Sequence, residues 1–168
     1  MARLFIAVWP SEEVAADLTQ LHRKDQQGVR FIPPQNWHIT LRFLGEAHPA
    51  TVGAALDRAT FAASVARLGP AVDVFAERSV VVPVAGVDEL AAEVVEHTGQ
   101  IGERPRTRFT GHLTLARVKP KAPMPRILGA MFRAEFEVDE IALVRSTLDH
   151  DGARYETIGT WPVPTYPR

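Results

Sequence analysis

WHITLRF (37–43) and GHLTLAR (111–117) each spell histidine, any residue, threonine, leucine inside a run of strand-forming residues. Side chains alternate across a strand, so residues i and i+2 leave the same face about 6.5–7 Å apart. His38, Thr40 and Arg42 therefore share one face of the first run, and Trp37, Ile39, Leu41 and Phe43 the other. In the second run His112 and Thr114 stand against Leu113 and Leu115. Each strand buries an apolar face and presents an imidazole beside a hydroxyl. Two such strands, roughly half the chain apart, predict two halves that bring the same polar pair to a shared place.

Outward from the first motif, Arg3 to Trp9 reads as a strand. Pro10-Ser11-Glu12-Glu13 supplies a stop, an N-cap and two acids for the first turn of a helix. Pro33-Pro34 breaks the chain before a strand from Trp37 to Leu44, closed by Gly45. A second helix is expected from about Pro49 to Leu68, ended by Gly69-Pro70. Ala71–Phe75 and Ser79–Val84 read as strands, and Asp88–Ile101 as a third helix with Leu90, Val94, His97 and Ile101 in its stripe. Phe109–Val118 is the next strand and the proline-rich Lys119–Pro125 a loop. Phe136–Arg145 and Tyr155–Thr160 are late strands around the turn residues DHDG, and the tail WPVPTYPR (161–168) is too rich in proline for a central strand. The order predicts an α+β protein. Its halves would be pseudo-duplicated lobes, with two antiparallel sheets facing a central cleft and helices outside, and residues 1–168 forming one domain.

The bulk composition narrows the functional classes. At 168 residues with 46% hydrophobic and 23% charged content, the chain is an ordinary globular one and not disordered. Without cysteine it has neither disulfides nor a thiol nucleophile, which fits a reducing cytoplasm. No apolar run approaches the ~20 residues of a membrane span, and the opening MARLFIAVWPSEE lacks a small-residue cleavage site after its apolar run. Net charge is −1, yet residues 103–121 carry Arg104, Arg106, Arg108, Arg117, Lys119 and Lys121 against the single acid Glu103. Beside a histidine motif, that stretch marks where phosphate arrives.

Imidazole, with a free pKa of about 6.5, is the side chain best suited to give or take a proton near neutrality. A threonine hydroxyl can donate to a non-bridging phosphate oxygen. Two histidines on opposite sides of one phosphorus supply a base for the attacking water and an acid for the leaving oxygen. No cofactor or metal is called for: the chain has no Asp-rich cluster and no His-Glu-x-x-His. His22, His48, His97 and His150 fall on helices, beside a helix start or in a turn, and read as surface or capping residues.

The paired motifs resemble those of the two-histidine (2H) phosphoesterases. The longer context is similar to the bacterial and archaeal RNA 2′,3′-cyclic phosphodiesterases, historically called 2′–5′ RNA ligases. RLFIAV, NWHITLRFLGE, RFTGHLTLARV, SVVVPVAGVDEL and IALVRSTLDHDGARYETIGTW carry the resemblance, which spans nearly the whole chain. It implies His38 as proton donor, His112 as proton acceptor, and Thr40, Thr114 and Arg117 as phosphate ligands. The residues alone leave the two histidine roles open. Where the family usually has proline before the second histidine this chain has Gly111, and the Phe75–Val84 segment lacks the family's usual Phe-Pro and Trp.

Arg117 poses a geometric problem. It lies five residues after His112 and points to the opposite face of a regular strand; it reaches the cleft only if the strand twists, bulges or ends before it. Arg42 has the right parity and is the alternative phosphate ligand. Phe109 is the candidate for stacking on a terminal base. The expected partners are RNA ends or nucleotides bearing a 2′,3′-cyclic phosphate, opened to a 2′-phosphate by a cytoplasmic monomer. Two other readings stay open. One keeps the site for small cyclic nucleotides, ADP-ribose cyclic phosphate or 2′–5′ linkages, ligation included. The other is a non-catalytic RNA-end binder, which would not need two titratable imidazoles.

Overall fold

A computed structural model describes residues 1–167; position 168, the end of the proline-rich tail, lies outside the described residues. The chain runs β1 (Ala2–Val8), α1 (Glu12–Leu18), β2 (Val29–Phe31), a 3₁₀ turn (Pro34–Asn36), β3 (Ile39–Ala47), α2 (Pro49–Asp57) and β4 (Val65–Leu68). It continues through β5 (Asp73–Phe75), β6 (Ser79–Ala85), α3 (Asp88–Thr98), β7 (His112–Val118), β8 (Ala134–Glu137), β9 (Glu140–Asp149) and β10 (Gly152–Pro162). The fold is α+β and its strand pairings are antiparallel.

The strands follow the order β10-β9-β1-β3-β7-β6-β4-β8, with β2 beside β7 and β5 beside β6. The first four belong to one half and the last four to the other. They meet at a single pair, Ile39 on β3 against Leu113 on β7. Both residues are fully buried, and each such side chain contributes roughly 1.5–3 kcal/mol by leaving water. The halves are also laced by their helices. Ser11 caps α1, its Oγ accepting from the Val14 amide at 3.2 Å, and the helix leaves β1 to pack against β8 of the other half. In the opposite sense, α3 leaves β6 and packs against β3.

β1 is buried on both faces, which is why it reads as an unbroken apolar run. Leu4, Ile6 and Val8 enter the main core, whereas Phe5 and Ala7 join Ala142 and Val144 in a smaller cluster on the opposite side. Trp9, Phe43 and Tyr155 pack onto that second cluster.

Three elements differ from expectation. The helix expected from Pro49 to Leu68 ends at Asp57, and Val65–Leu68 is instead strand β4. It fills the gap between β6 and β8, burying Ala66 and Leu68, so pairing overrides the helical propensity of an alanine-rich run. The strand expected over Phe136–Arg145 is two, β8 and β9, in opposite halves of the sheet. The chain crosses between halves at Val138 and Asp139, held by the Val138 amide on the Ser64 carbonyl and the Val163 amide on the Asp139 carbonyl, both at 2.9 Å. Finally, β2 has too few residues to show a period in the sequence. No helix among the described residues is long and apolar enough to cross a membrane.

Candidate active site

The seam between the halves places the two motifs. With Ile39 facing Leu113, the same register sets His38 across from Thr114 and Thr40 across from His112. The histidines then occupy opposite corners of a rectangle, a diagonal spacing of about 7–8 Å for such neighbours. That separation leaves room for a phosphorus between an acid and a base.

Each imidazole is tied to the backbone in the same way. His38 follows the 3₁₀ turn and donates its Nδ1–H to the Asn36 carbonyl at 2.7 Å; Asn36 is itself fixed by its Nδ2 on the Ala153 carbonyl at 3.0 Å. His112 donates Nδ1–H to the Thr110 carbonyl, also at 2.7 Å. A carbonyl only accepts, so Nδ1 carries the proton in both rings and Nε2 is the atom free to work. Gly111 has its own reason: a Cβ there would lie 2.3 Å from the Val84 carbonyl oxygen. β6 approaches too closely for the family's proline.

Both strands bulge directly after the threonine. On β3, Ile6 of β1 pairs with Arg42 but Ala7 pairs with Thr40, leaving Leu41 over. On β7, Val80 of β6 pairs with Ala116 but Val81 pairs with Thr114, leaving Leu115 over. Each extra residue reverses the parity of the rest of its strand. Leu41 and Arg42 are consecutively buried, as are Leu115 and Ala116. The third side chain on the cleft face is accordingly Phe43 on β3 and Arg117 on β7.

Arg117 therefore comes round to the face of His112 and Thr114, with Nη1 donating to Ser79 Oγ at 3.0 Å. Arg42 does not, which corrects its assignment as a phosphate ligand. It is 4% exposed. Its Nε donates to Thr98 Oγ1 at 3.0 Å, and its Nη2 donates to the carbonyls of Thr98 (3.0 Å), Ile101 (2.5 Å) and Glu103 (3.0 Å). The guanidinium closes the C-terminal end of α3 and anchors the start of the arginine-bearing loop.

A cleft of about 580 Å³ is lined by Thr40, Thr114, His112, Arg117, Phe75 and Phe109, a size suited to a small molecule or nucleotide. Ala91, Ala92 and Val95 of α3 form an apolar wall, and Arg104, Arg106 and Arg108 hang over the opening. Phe109 is half-buried against the core. The aromatic closest to a histidine is one the motifs do not point to: Phe75 stacks on His112 at 4.2 Å and 27°. It is carried there by the β5–β6 hairpin, whose pairing runs from Asp73–Val81 to Phe75–Ser79. His38 sits among Phe5, Trp9 and Tyr155, with centroids 4.8, 5.8 and 5.3 Å away. Tyr155 belongs to a distant hairpin and only its place in the C-terminal run could have signalled it.

Burial lowers the pKa of both histidines below the ordinary 6.5, the carbonyl bonds of Asn36 and Thr110 opposing it. His38 is lowered further by the charges of His112 and Arg117, and His112 by those of Arg106 and Arg117. Any catalysis that needs one neutral and one protonated imidazole is then confined, in the free protein, to the acid side of 6.5. kcat/KM is expected to reach its maximum below pH 6.5 and to be falling already as the pH rises through that value, because the imidazolium is lost below it. A bound phosphodiester anion would raise both values, so kcat should peak at higher pH than kcat/KM. A kcat/KM plateau running through pH 8 would contradict a paired acid and base.

Residues 10–150 match the family model described as the 2'-5' RNA ligase superfamily. An RNA 2′,3′-cyclic phosphodiesterase of Thermus thermophilus is 34% identical over 93% of this chain and 87% of its own length. One from Archaeoglobus fulgidus is 29% identical over 93% and 97%. Among solved structures, a crystal structure of a Thermus thermophilus protein superposes with a TM-score of 0.82 at 28% identity, covering 97% of this chain and 98% of that one. Escherichia coli LigT complexed with 3′-AMP gives 0.79 at 22% identity over 96% and 98%, a likeness of fold.

Proposed function

The chain belongs to the 2′-5′ RNA ligase superfamily, and from that premise we propose that it is a hydrolase opening RNA-terminal 2′,3′-cyclic phosphates to 2′-phosphates. The observation that carries this reading is the matched pair of Nδ1-tethered histidines at opposite corners of one site. His112 Nε2 takes a proton from water as the water oxygen attacks phosphorus. The P–O3′ bond breaks, and His38 Nε2–H delivers its proton to the departing O3′. The product is a 2′-phosphomonoester beside a free 3′-hydroxyl, with the two protonation states exchanged and reset through solvent. Thr40 and Thr114 donate to the non-bridging oxygens, and Arg117 neutralises phosphate charge. Phe109 is the proposed stacking surface for the terminal base.

We further propose that residues 1–168 act as one domain and as a monomer, in the cytoplasm, where a chain without cysteine is at no disadvantage. Acid and base both come from imidazoles, so turnover of a cyclic-phosphate-ended oligonucleotide is expected to persist in EDTA and to yield the 2′-phosphate isomer. Comparing that oligonucleotide with 2′,3′-cyclic mononucleotides, with product isomers identified, tests substrate and chemistry together. Activity lost to chelation and restored by zinc or manganese would overturn the acid–base account.

A further inference from the structure

The C-terminal run IALVRSTLDHDGARYETIGTW (141–161) forms most of β9 and β10, and the proposed chemistry gives it no part. β1 pairs with β9 only as far as Arg145. From Ser146 round the turn to Tyr155, the two strands continue as a ribbon paired with each other. A two-stranded ribbon by itself is marginally stable in water; this one rests on the surroundings of His38. The Ala153 carbonyl accepts from Asn36 Nδ2 at 3.0 Å, and Asn36 in turn holds His38 Nδ1–H through its own carbonyl at 2.7 Å. The Tyr155 ring meets the imidazole edge-on, at 5.3 Å and 90°. Two residues further along β10, Thr157 Oγ1 accepts from Trp9 Nε1 at 3.0 Å. The Trp9 ring stands at 5.8 Å and 69° to the same imidazole.

One hydrogen bond fixes Nδ1 but leaves the ring free to swing about it. Nε2, across the ring, is then the atom least constrained. The edges of Tyr155 and Trp9, with the Phe5 ring at 4.8 Å, close off that swing. A catalytic group must stay within hydrogen-bond reach of the atom it serves, and a misplacement of about 1 Å can cost roughly 10² in rate. His112 draws its support elsewhere, from the Thr110 carbonyl and the Phe75 ring. Thr157 is exposed and belongs to neither apolar cluster, so the core does not ask for its hydroxyl.

We propose that β10 positions His38: Ala153 through Asn36, Tyr155 by direct contact and Thr157 through Trp9 together hold Nε2 on line for phosphorus. Asn36, Tyr155 and Thr157 are positioning residues, and none of them exchanges a proton. The proposal rests on the two-histidine reading and extends the site from the two motifs to the C-terminal hairpin.

The test is a set of double-mutant cycles in the full chain, read as kcat and KM on a cyclic-phosphate-ended oligonucleotide. Asn36→Ala is expected to lower kcat about 10–100-fold and Thr157→Val about three- to tenfold, with KM changed less than about twofold, as for a displaced catalytic group. Thr157→Ser, which keeps the acceptor, should recover the rate. In a His38→Ala background neither Asn36→Ala nor Thr157→Val should cost anything further, because the group they aim is gone. Imidazole nitrogen NMR gives a second readout: Asn36→Ala should move the His38 resonances away from the Nδ1–H tautomer and leave those of His112 in place. The exposed Thr157 variants keep the test decisive if Asn36→Ala folds poorly. Penalties that survive in the His38→Ala background, or no penalty beside native His38, overturn the proposal while His38 itself remains necessary. Near-native turnover of His38→Ala is a different result, and it overturns the two-histidine reading from which the proposal starts.

Discussion

Replacing either His38 or His112 with alanine is expected to lower kcat by about 10²–10⁴, the usual cost of losing a general acid or base. The double variant should be little worse than the worse single one, because an acid without a base leaves most of the reaction unassisted. Neither change should unfold the protein. Each imidazole makes one hydrogen bond, to a carbonyl two residues away, and both rings border the aromatic and polar lining of the site, outside the main core. Steady-state kinetics on a cyclic-phosphate-ended oligonucleotide, with a denaturant midpoint for each variant, separates chemistry from folding. Near-native turnover in either single variant would sink the two-histidine mechanism.

The second large effect concerns stability. Arg42→Met removes a buried guanidinium that bonds Thr98 Oγ1 and the carbonyls of Thr98, Ile101 and Glu103. Hydrogen bonds to a charged group contribute ~1.5–3 kcal/mol each, and a buried acceptor left empty costs ~1–3. Relaxation recovers part of this, and a net loss of about 3 kcal/mol is expected, read as a lower denaturant midpoint at constant m-value. Arg117→Lys should do the reverse. Arg117 is exposed, so stability should hold within about 0.5 kcal/mol. Lysine cannot copy a two-point grip on phosphate, so catalysis should drop without moving either limb of the pH profile. If Arg42→Met were stable and inactive, its guanidinium would serve the reaction and not the fold.

These two arginines mark the boundary between what the sequence determined alone and what the tertiary structure decided. Period-two alternation placed His38 with Thr40 and His112 with Thr114, because those pairs precede any irregularity in their strands. Ser11 and the acids behind it located the first helix, and the leucine and valine stripe located α3; both are signals within one or two turns. Parity past the threonines was another matter. A bulge exists only relative to a partner strand, and the partners that create those at Leu41 and Leu115 are β1 and β6. With one extra residue in each strand, Arg42 turns into the core and Arg117 turns out of it. The same non-local cause made β4 a strand, since an alanine-rich run took the pairing that β6 and β8 left open. It also brought Phe75 and Tyr155 to histidines far from them in the chain. Residue type and spacing could pick out the two histidines and the threonine beside each, without dividing the histidines into acid and base; which arginine shares their face follows from strand registers that no single stretch of sequence contains.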